Sequence, residues 1–477
     1  MNYIYVHKKI FLNAKIFICR ILFIIEKKCW GIKFMCKLKF SILTLGCKVN
    51  YYDSNTVKKM LEENNFNYVD FDDDLADIYI INTCSVTNLS DRKSRQMLSK
   101  ARKKNPNAII LAMGCCSQVN SKQILDLKLA DIVIGSDDKK NIFELIKKYI
   151  AQKDFDFEIK DVRKKKIFDD NYNYETKNFN ADERVRAFIK IQDGCDYFCS
   201  YCIIPFTRGK SRSRDLNNIY LEAKKICYAG FKEIVLTGIN VSAYGNDFEN
   251  KISLADVIEK LSEIKNLARI RLSSIEPNII NKNFVDRTKK NNKLCPHFHM
   301  SLQSGSDKIL SAMNRKYNRE KYFEAVKLLK NNFKNVCLTT DVIVGFPGEN
   351  ENDFLDTFDF VNKIKFAKVH VFPFSERKNT RAINFKNKVS GEIKKIRVKK
   401  LIELSENLEH EYIKSFLGKE LNVLLEKKIN SGRKEKYFGY SDNYLKIFVE
   451  SKDDLVNKIV KVKLTDINKN YGFGKII

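Results

Sequence analysis

Ala187-Phe-Ile-Lys-Ile-Gln-Asp-Gly-Cys-Asp-Tyr-Phe-Cys-Ser-Tyr-Cys202 is a strand-like apolar run that leads straight into a C-x3-C-x2-C triplet. Three thiolates so close suit an iron–sulfur cubane, with Cys195, Cys199 and Cys202 each holding one iron. Zinc normally takes a fourth ligand nearby, and no His or further Cys stands close on either side before Cys227. The fourth iron is therefore open, and an open iron is a place for a small molecule to bind and react.

The run from Ala187–Gln192 opens a series. Apolar stretches at Ile234–Leu236, Ile270–Leu272, His297–Ser301, Val336–Val344 and Lys368–Phe372 follow, with helical patterns between them. Six parallel strands of this kind predict a partial (βα)6 barrel whose active site lies at the C-terminal strand ends. The cysteine triplet sits at that mouth. Polar residues crowd the other strand ends: Thr237-Gly-Ile-Asn240, Ser273-Ser-Ile-Glu276, Gln303-Ser-Gly305 and Gly345-Phe-Pro-Gly-Glu349. Singly each reads as an ordinary turn. As a ring around one mouth they make a cofactor pocket.

Upstream, residues 35–150 alternate short apolar runs with helical patterns. Strands are expected at Phe40–Leu45, Tyr68–Phe71, Ile78–Asn82, Ala108–Met113 and Ile132–Ile134, with amphipathic stretches such as Asn55–Glu63 and Arg92–Lys103 between. That rhythm predicts a parallel α/β sheet with helices on both faces. Three strands are followed at once by a cysteine, in Gly46-Cys47, Thr83-Cys84 and Gly114-Cys115. Ligands gather at the carboxyl ends of parallel strands, so Cys47, Cys84 and Cys115 are expected to converge. One free cysteine is usually a small buried hydrophobe. Three at equivalent strand ends favour a second three-thiolate site.

The charged, Asn/Asp-rich stretch 151–185 reads as a linker. Lys394 to Phe416 reads as a charged helix that closes the second domain, 186–416. Residues 418–477 then change to short alternating strands at Leu421–Leu425, Tyr437–Tyr440, Leu445–Val449, Ile459–Leu464 and Tyr471–Ile477. Such a segment suits a small β-barrel of the oligonucleotide-binding sort. It carries 13 basic and 8 acidic residues. Tyr437, Phe438, Tyr440 and Phe448 either stack on bases or pack its core. Arg208, Arg212 and Arg214, after the triplet, either hold substrate phosphates or form a solvated basic loop.

A chain of 477 residues is too long for one ordinary domain. Its 13 cysteines are scattered, apart from the metal-spaced triplet, which points away from a disulfide framework and toward a reducing, cytoplasmic setting. The net charge of +28 reflects either compositional drift or a polyanionic partner such as RNA. In the first 34 residues seven Lys and Arg face a single Glu. The apolar run Ile16 to Ile25 is broken by Arg20, is too short to span a bilayer and lacks a small-residue cleavage site. A disordered or overextended leader is expected, with an organelle transit peptide as the lesser alternative, Met35 as a natural start and no membrane partner. Cys19, Cys29 and Cys36 lie in or beside it. Cys227, Cys295 and Cys337 are expected to be buried and inert.

With Tyr201 before its last cysteine, the triplet resembles the radical S-adenosylmethionine signature. The domain order resembles the methylthiotransferases, from Met35 to the C terminus. Thr44-Leu-Gly-Cys-Lys-Val-Asn50, Asn82-Thr-Cys-Ser-Val-Thr87 and Lys93-Ser-Arg-Gln96 are similar to the branch acting on threonylcarbamoyladenosine at tRNA position 37. The isopentenyladenosine branch typically has Met-Asn in place of Lys48-Val49-Asn50 and an Arg near Thr87. The branch that modifies a ribosomal-protein aspartate fits less well, because this terminal barrel is basic. A non-catalytic iron–sulfur RNA-binding protein needs neither an open iron nor a strand-end pocket. Two departures stand out. Gly114-Cys-Cys-Ser-Gln118 has Cys116 where an aromatic is usual, so Cys115 is the expected ligand and Cys116 an alternate. Gly238 to Gly245 lacks a Gly usual near Ser242.

The resemblance implies two [4Fe-4S] clusters, on Cys47/Cys84/Cys115 and on Cys195/Cys199/Cys202. It implies S-adenosylmethionine at the second, contacted by Tyr201, Ser273, Ser274, Gln303, Ile343 and Gly345. It implies tRNA bound through its anticodon stem–loop by a terminal TRAM barrel, and an electron-donor protein such as flavodoxin or ferredoxin. No catalytic residue is expected beyond the cluster ligands. The overall change is C2–H of the adenine to C2–SCH3.

Overall fold

The computed structural model describes residues 38–152, 159–170, 185–431 and 434–477. The leader and Cys19, Cys29 and Cys36 lie outside these residues. The described chain falls into two compact units divided between Val162 and Arg163.

In the first unit, the period-2 apolar runs become strands β1 (Lys39–Thr44), β2 (Asn67–Tyr68), β3 (Ile78–Thr83), β4 (Ile109–Gly114) and β5 (Ile132–Val133). They form one parallel sheet in the order β2-β1-β3-β4-β5. Successive residues of β3 and β4 point to opposite faces. Ile78, Ile80, Leu111 and Met113 pack with Val57, Leu61, Ile142 and Ile146. Tyr79, Ile81, Ile110 and Ala112 pack with Leu98, Ala101 and Ile124 on the other side. Each such aliphatic side chain contributes about 1.5–3 kcal/mol by leaving water. The expected strand Tyr68–Phe71 contracts to the two-residue edge strand Asn67–Tyr68. The helix expected from Asn55 starts earlier, at Lys48, directly after Cys47.

Of the stretch expected to be a linker, residues 151–152, 159–170 and 185 are among those described. Ala151 ends helix Ile142–Ala151, and Ile159 packs against the core of the first unit. Further along it, Asp170 accepts a 2.6 Å hydrogen bond from Arg214 Nε in the second unit.

The second unit contains β6 (Arg186–Lys190), β7 (Gln192–Asp193), β8 (Arg212–Ser213), β9 (Glu233–Thr237), β10 (Arg269–Leu272), β11 (His297–His299), β12 (Cys337–Val344) and β13 (Lys368–Pro373). The expected six-stranded barrel forms as two parallel sheets, β10-β9-β6 and β11-β12-β13. Isolated parallel bridges Ile270–Leu294 and Ile275–Met300 join them. The short antiparallel pair β7–β8 is a ribbon that brackets the cysteine triplet. Helix Gly391–Lys414 covers β13, where Ser405 Oγ accepts from Val369 N at 2.9 Å.

The terminal segment closes into a five-stranded barrel of β14 (Glu420–Ser431), β15 (Lys434–Ser441), β16 (Lys446–Ser451), β17 (Ile459–Ile467) and β18 (Gly472–Ile476). Val423, Leu425, Tyr437, Ile447, Val449, Val462 and Leu464 fill it. It is seated on the N-terminal ends of the larger barrel's strands. Arg269 donates to the Tyr440 and Asn422 carbonyls at 2.9 and 2.7 Å, and Arg271 to those of Asp442 and Ser441 at 2.9 and 3.2 Å. Glu233 neutralises Arg271 through a 2.6 Å bond. Burial raises the Glu233 pKa, but the Arg271 and Arg269 guanidinium groups outweigh it and hold the carboxyl below its ordinary value. His297 stacks on Tyr444 with ring centroids 4.4 Å apart. Among the described residues no helix is long and apolar enough to cross a membrane.

Candidate metal centres and cofactor site

Three loops at the carboxyl ends of β1, β3 and β4 carry Cys47, Cys84 and Cys115. The side chain of Asn50 ties two of them together, donating to the Leu45 carbonyl at 2.7 Å and the Thr83 carbonyl at 3.2 Å. Thr83 Oγ1 ties in the third, donating to the Met113 carbonyl at 2.7 Å and accepting from Ser117 N at 3.1 Å. Gly46 and Gly114 turn at φ +101° and +97°, the left-handed region that glycine tolerates. A Cβ on Gly46 would lie 3.0 Å from Cys84 Sγ, and one on Gly114 only 2.5 Å from Asn82 Oδ1.

Cys47 caps helix Lys48–Glu63, and Cys115 is the first residue of helix Cys115–Asp126. Both residues thus stand at the positive ends of helices. Burial raises the pKa of Cys84, and Cys115 and Cys47 raise it further, a sign that the three thiols feel one another. Cys116 goes elsewhere. It is fully buried, its Sγ accepts from Asn120 at 3.6 Å, and burial with nearby Asp91 pushes its pKa up to about 12. That environment suits a neutral, packed thiol at Cys116.

The second triplet lies in the loop between β7 and β8. Gln192 sets its start, donating to the Gly194 carbonyl at 2.7 Å and to Ser211 Oγ at 2.8 Å while accepting from Asn240 N at 2.8 Å. Cys195 N bonds the Gly209 carbonyl at 3.0 Å. Ser200 and Asn314 clamp the middle: Ser200 Oγ donates to the Ala312 carbonyl at 2.8 Å, and Asn314 Nδ2 to the Phe198 carbonyl at 3.0 Å. Burial raises the pKa of Cys195 to about 11 and that of Cys202 higher, with Cys199 adding to both. A bound cation reverses that preference.

Both triads fit an iron–sulfur cluster by their donors, all sulfur with no imidazole or carboxylate among them. A cubane spaces its thiolates more widely than a single ion does. Among the described residues no three His, Cys, Asp or Glu side chains stand close enough to share one metal ion.

Around the barrel mouth, Ser273 is buried and its Oγ has no hydrogen-bond partner, as a group awaiting a ligand would. Gln303 holds φ +68° beside β12, its carbonyl accepting from Ile343 N at 2.9 Å. Tyr201 and Ile343 pack with Met313, Phe346 and Phe374. Ser274 is exposed. The space that a side chain on Gly345 would occupy is filled by Lys394, whose Cγ lies 2.4 Å from the ideal Cβ position, so this glycine admits helix Gly391–Lys414. Ser242, in the segment short of a glycine, accepts from Glu276 N at 2.8 Å.

The three arginines read as phosphate contacts or as a solvated basic loop are internal. Arg208 pairs with Asp193 at 3.0 Å, Arg214 with Asp170 and Glu222, and Arg212 donates to the Lys210 and Arg208 carbonyls at 2.7 and 3.0 Å. All three are buried, so neither phosphate contact nor a solvated loop describes them. They brace the triplet loop. The four aromatic residues of the terminal barrel divide. Tyr437 lies in its core, and Tyr440 lies under the Arg186 guanidinium at 4.9 Å, in the seam with the larger barrel. Phe438 and Phe448 are half-buried on the outer face, in cross-strand register with Phe473, and Lys446 Nζ lies 5.1 Å from both rings. Cys227, Cys295 and Cys337 are buried, as expected.

Comparison with known proteins agrees with this anatomy. Residues 189–361 match the radical SAM superfamily, residues 39–135 the uncharacterized protein family UPF0004, and residues 414–477 the TRAM domain. The solved radical S-adenosylmethionine methyltransferase TsrM from Kitasatospora setae shares the fold, with a TM-score of 0.57 at 12% identity, over 73% of this chain and 77% of that one. The barrel and its triplet are those of a radical S-adenosylmethionine protein. The threonylcarbamoyladenosine tRNA methylthiotransferase MtaB of Bacillus subtilis is 36% identical over 91% of this chain and 95% of its own length. Its counterpart from Aquifex aeolicus is 37% identical over 89% and 100%. A tRNA-2-methylthio-N(6)-dimethylallyladenosine synthase from Natranaerobius thermophilus is 33% identical over 90% and 94%. The chain belongs to the radical S-adenosylmethionine tRNA methylthiotransferases, in their MtaB-like family.

Proposed function

We propose that this chain converts N6-threonylcarbamoyladenosine at position 37 of tRNA to its 2-methylthio derivative, replacing C2–H by C2–SCH3. The observation that carries it is near-full-length identity of 36–37% to threonylcarbamoyladenosine methylthiotransferases in a chain with a cysteine triad at each of two strand-end sites. Identity to the dimethylallyladenosine enzyme is lower, at 33%.

Adenine C2 carries an unactivated C–H, and no side-chain acid or base is strong enough to take that hydrogen. Once loaded, a [4Fe-4S] cluster on Cys195, Cys199 and Cys202 together with S-adenosylmethionine supplies one-electron radical chemistry for that step. Cys47, Cys84 and Cys115 would hold the second [4Fe-4S] cluster, whose chemistry would be the supply of sulfur. Ser273 Oγ would offer S-adenosylmethionine a polar contact, Tyr201 and Ile343 an apolar wall, and Gln303 and Ser274 would edge the mouth. Gly345 has only its backbone to offer.

The terminal barrel binds tRNA through its basic surface, with Phe438, Phe448 and Phe473 as a stacking face. A low-potential flavodoxin or ferredoxin delivers the electron, in the cytoplasm. The test is mass spectrometry of tRNA nucleosides from a strain lacking the gene. Loss of 2-methylthio-N6-threonylcarbamoyladenosine, with its unmethylthiolated precursor accumulating, is expected. An unchanged level overturns the reading.

A further inference from the structure

One buried cation stands behind the Cys195–Cys202 loop. Arg315 follows helix Asp307–Ala312, its side chain is 4% exposed, and its Nη1 lies 3.1 Å from Cys199 Sγ. Every edge of the guanidinium is engaged. Nη2 binds the Glu276 carboxylate, Nε donates to Tyr317 Oη at 3.0 Å, and Nη1 also lies 3.5 Å from Tyr201 Oη. Tyr317 is fixed in turn, donating to the Ser301 carbonyl at 2.6 Å. Glu276 is anchored by its backbone to Ser242. A planar fork held on all sides delivers one N–H to one sulfur with little freedom to move away.

Such a contact has a direct electrical consequence. Hydrogen bonds and charge at a cluster's sulfurs tune its potential, and a cation in a dry site favours the state with one more electron. Glu276 offsets part of that charge, so the two residues act in opposite directions. We propose that the Arg315–Glu276 pair sets the reduction potential of the cluster on Cys195, Cys199 and Cys202, with Arg315 as the positioning residue at Cys199. This rests on the reading that these cysteines carry a cluster. One electron enters from an external low-potential reductant, and no bond or proton moves at Arg315.

The test is an anaerobic redox titration followed by electron paramagnetic resonance, with iron and sulfide measured on every sample. Dithionite is the reductant. The protein is the full chain with Cys47→Ala, Cys84→Ala and Cys115→Ala, so that a single cluster is read. Arg315→Met is expected to lower the one-electron equilibrium constant about tenfold, roughly 59 mV. Glu276→Gln is expected to raise the potential, and Arg315→Lys to restore most of the Arg315→Met loss. Should Arg315→Met fail to take up iron, Glu276→Gln and Arg315→Lys carry the comparison. Shifts of Arg315→Met and Glu276→Gln in the same direction, or no shift in loaded protein, overturn the proposal. A parent protein that takes up no iron instead overturns the cluster reading beneath it.

Discussion

Gly46 lies against Cys84 so closely that a Cβ on Gly46 would meet the Cys84 Sγ at 3.0 Å. Two loops from separate strands thus meet through a missing side chain. Gly46→Ala adds this crowding to a backbone held at φ +101°. We expect iron per chain to fall from about eight to about four, with S-adenosylmethionine cleavage by reduced protein retained. Iron analysis and a cleavage assay check this.

Cys115 and Cys116 are adjacent in sequence but differ in surroundings. Cys116→Ala is expected to leave iron content unchanged, because its thiol is buried between Asn120 and Asp91. Cys115→Ala is expected to lose about four irons. Equal losses in both variants would contradict the assignment.

Arg214 is enclosed by Glu222 and Asp170, and removing it strands two carboxylates, one of them deeply buried. Arg214→Ala is expected to cost about 3–5 kcal/mol of stability, read by chemical denaturation. If Arg214 met a phosphate instead, the variant would keep its stability, and the salt dependence of tRNA binding would become shallower by about one unit of slope.

These arginines show where the sequence stopped being legible. Spacing alone exposes a cluster of positive charge, but not the Asp170, Asp193 and Glu222 that fold onto it from elsewhere. The strand-end cysteines were readable because strand period and parallel connection place them at one sheet edge without long-range detail. Arg315 was not: it lies 116 residues from Cys199 and matches no metal or phosphate pattern. The seam of Arg269 and Arg271 gave a weak signal, two arginines on one face of an apolar strand, which asks for a buried partner. Gly345 stood in a convincing motif, yet Lys394 fills its space.

The outer face of the terminal barrel separates binding from folding. Phe448→Ala removes a half-buried ring from the row with Phe438 and Phe473. It is expected to weaken tRNA binding by about 1–3 kcal/mol while the fold persists. Tyr437→Ala opens the barrel core and is expected to unfold it, at about 3–5 kcal/mol. Gel-shift titration with circular dichroism distinguishes the two. Point variants are preferable to deleting 418–477, since deletion bares the Arg269, Arg271 and Glu233 charges that the barrel covers.

Substrate choice between two modified adenosines is read directly with the loaded enzyme. Anaerobically reconstituted protein, S-adenosylmethionine and a reductant are mixed with two tRNAs, one carrying N6-threonylcarbamoyladenosine at position 37 and the other N6-isopentenyladenosine. Nucleosides are then read by mass spectrometry. A methylthio group is expected on the threonylcarbamoyl nucleoside alone. Methylthiolation of the isopentenyl nucleoside, or of neither by protein with both clusters loaded, would contradict it.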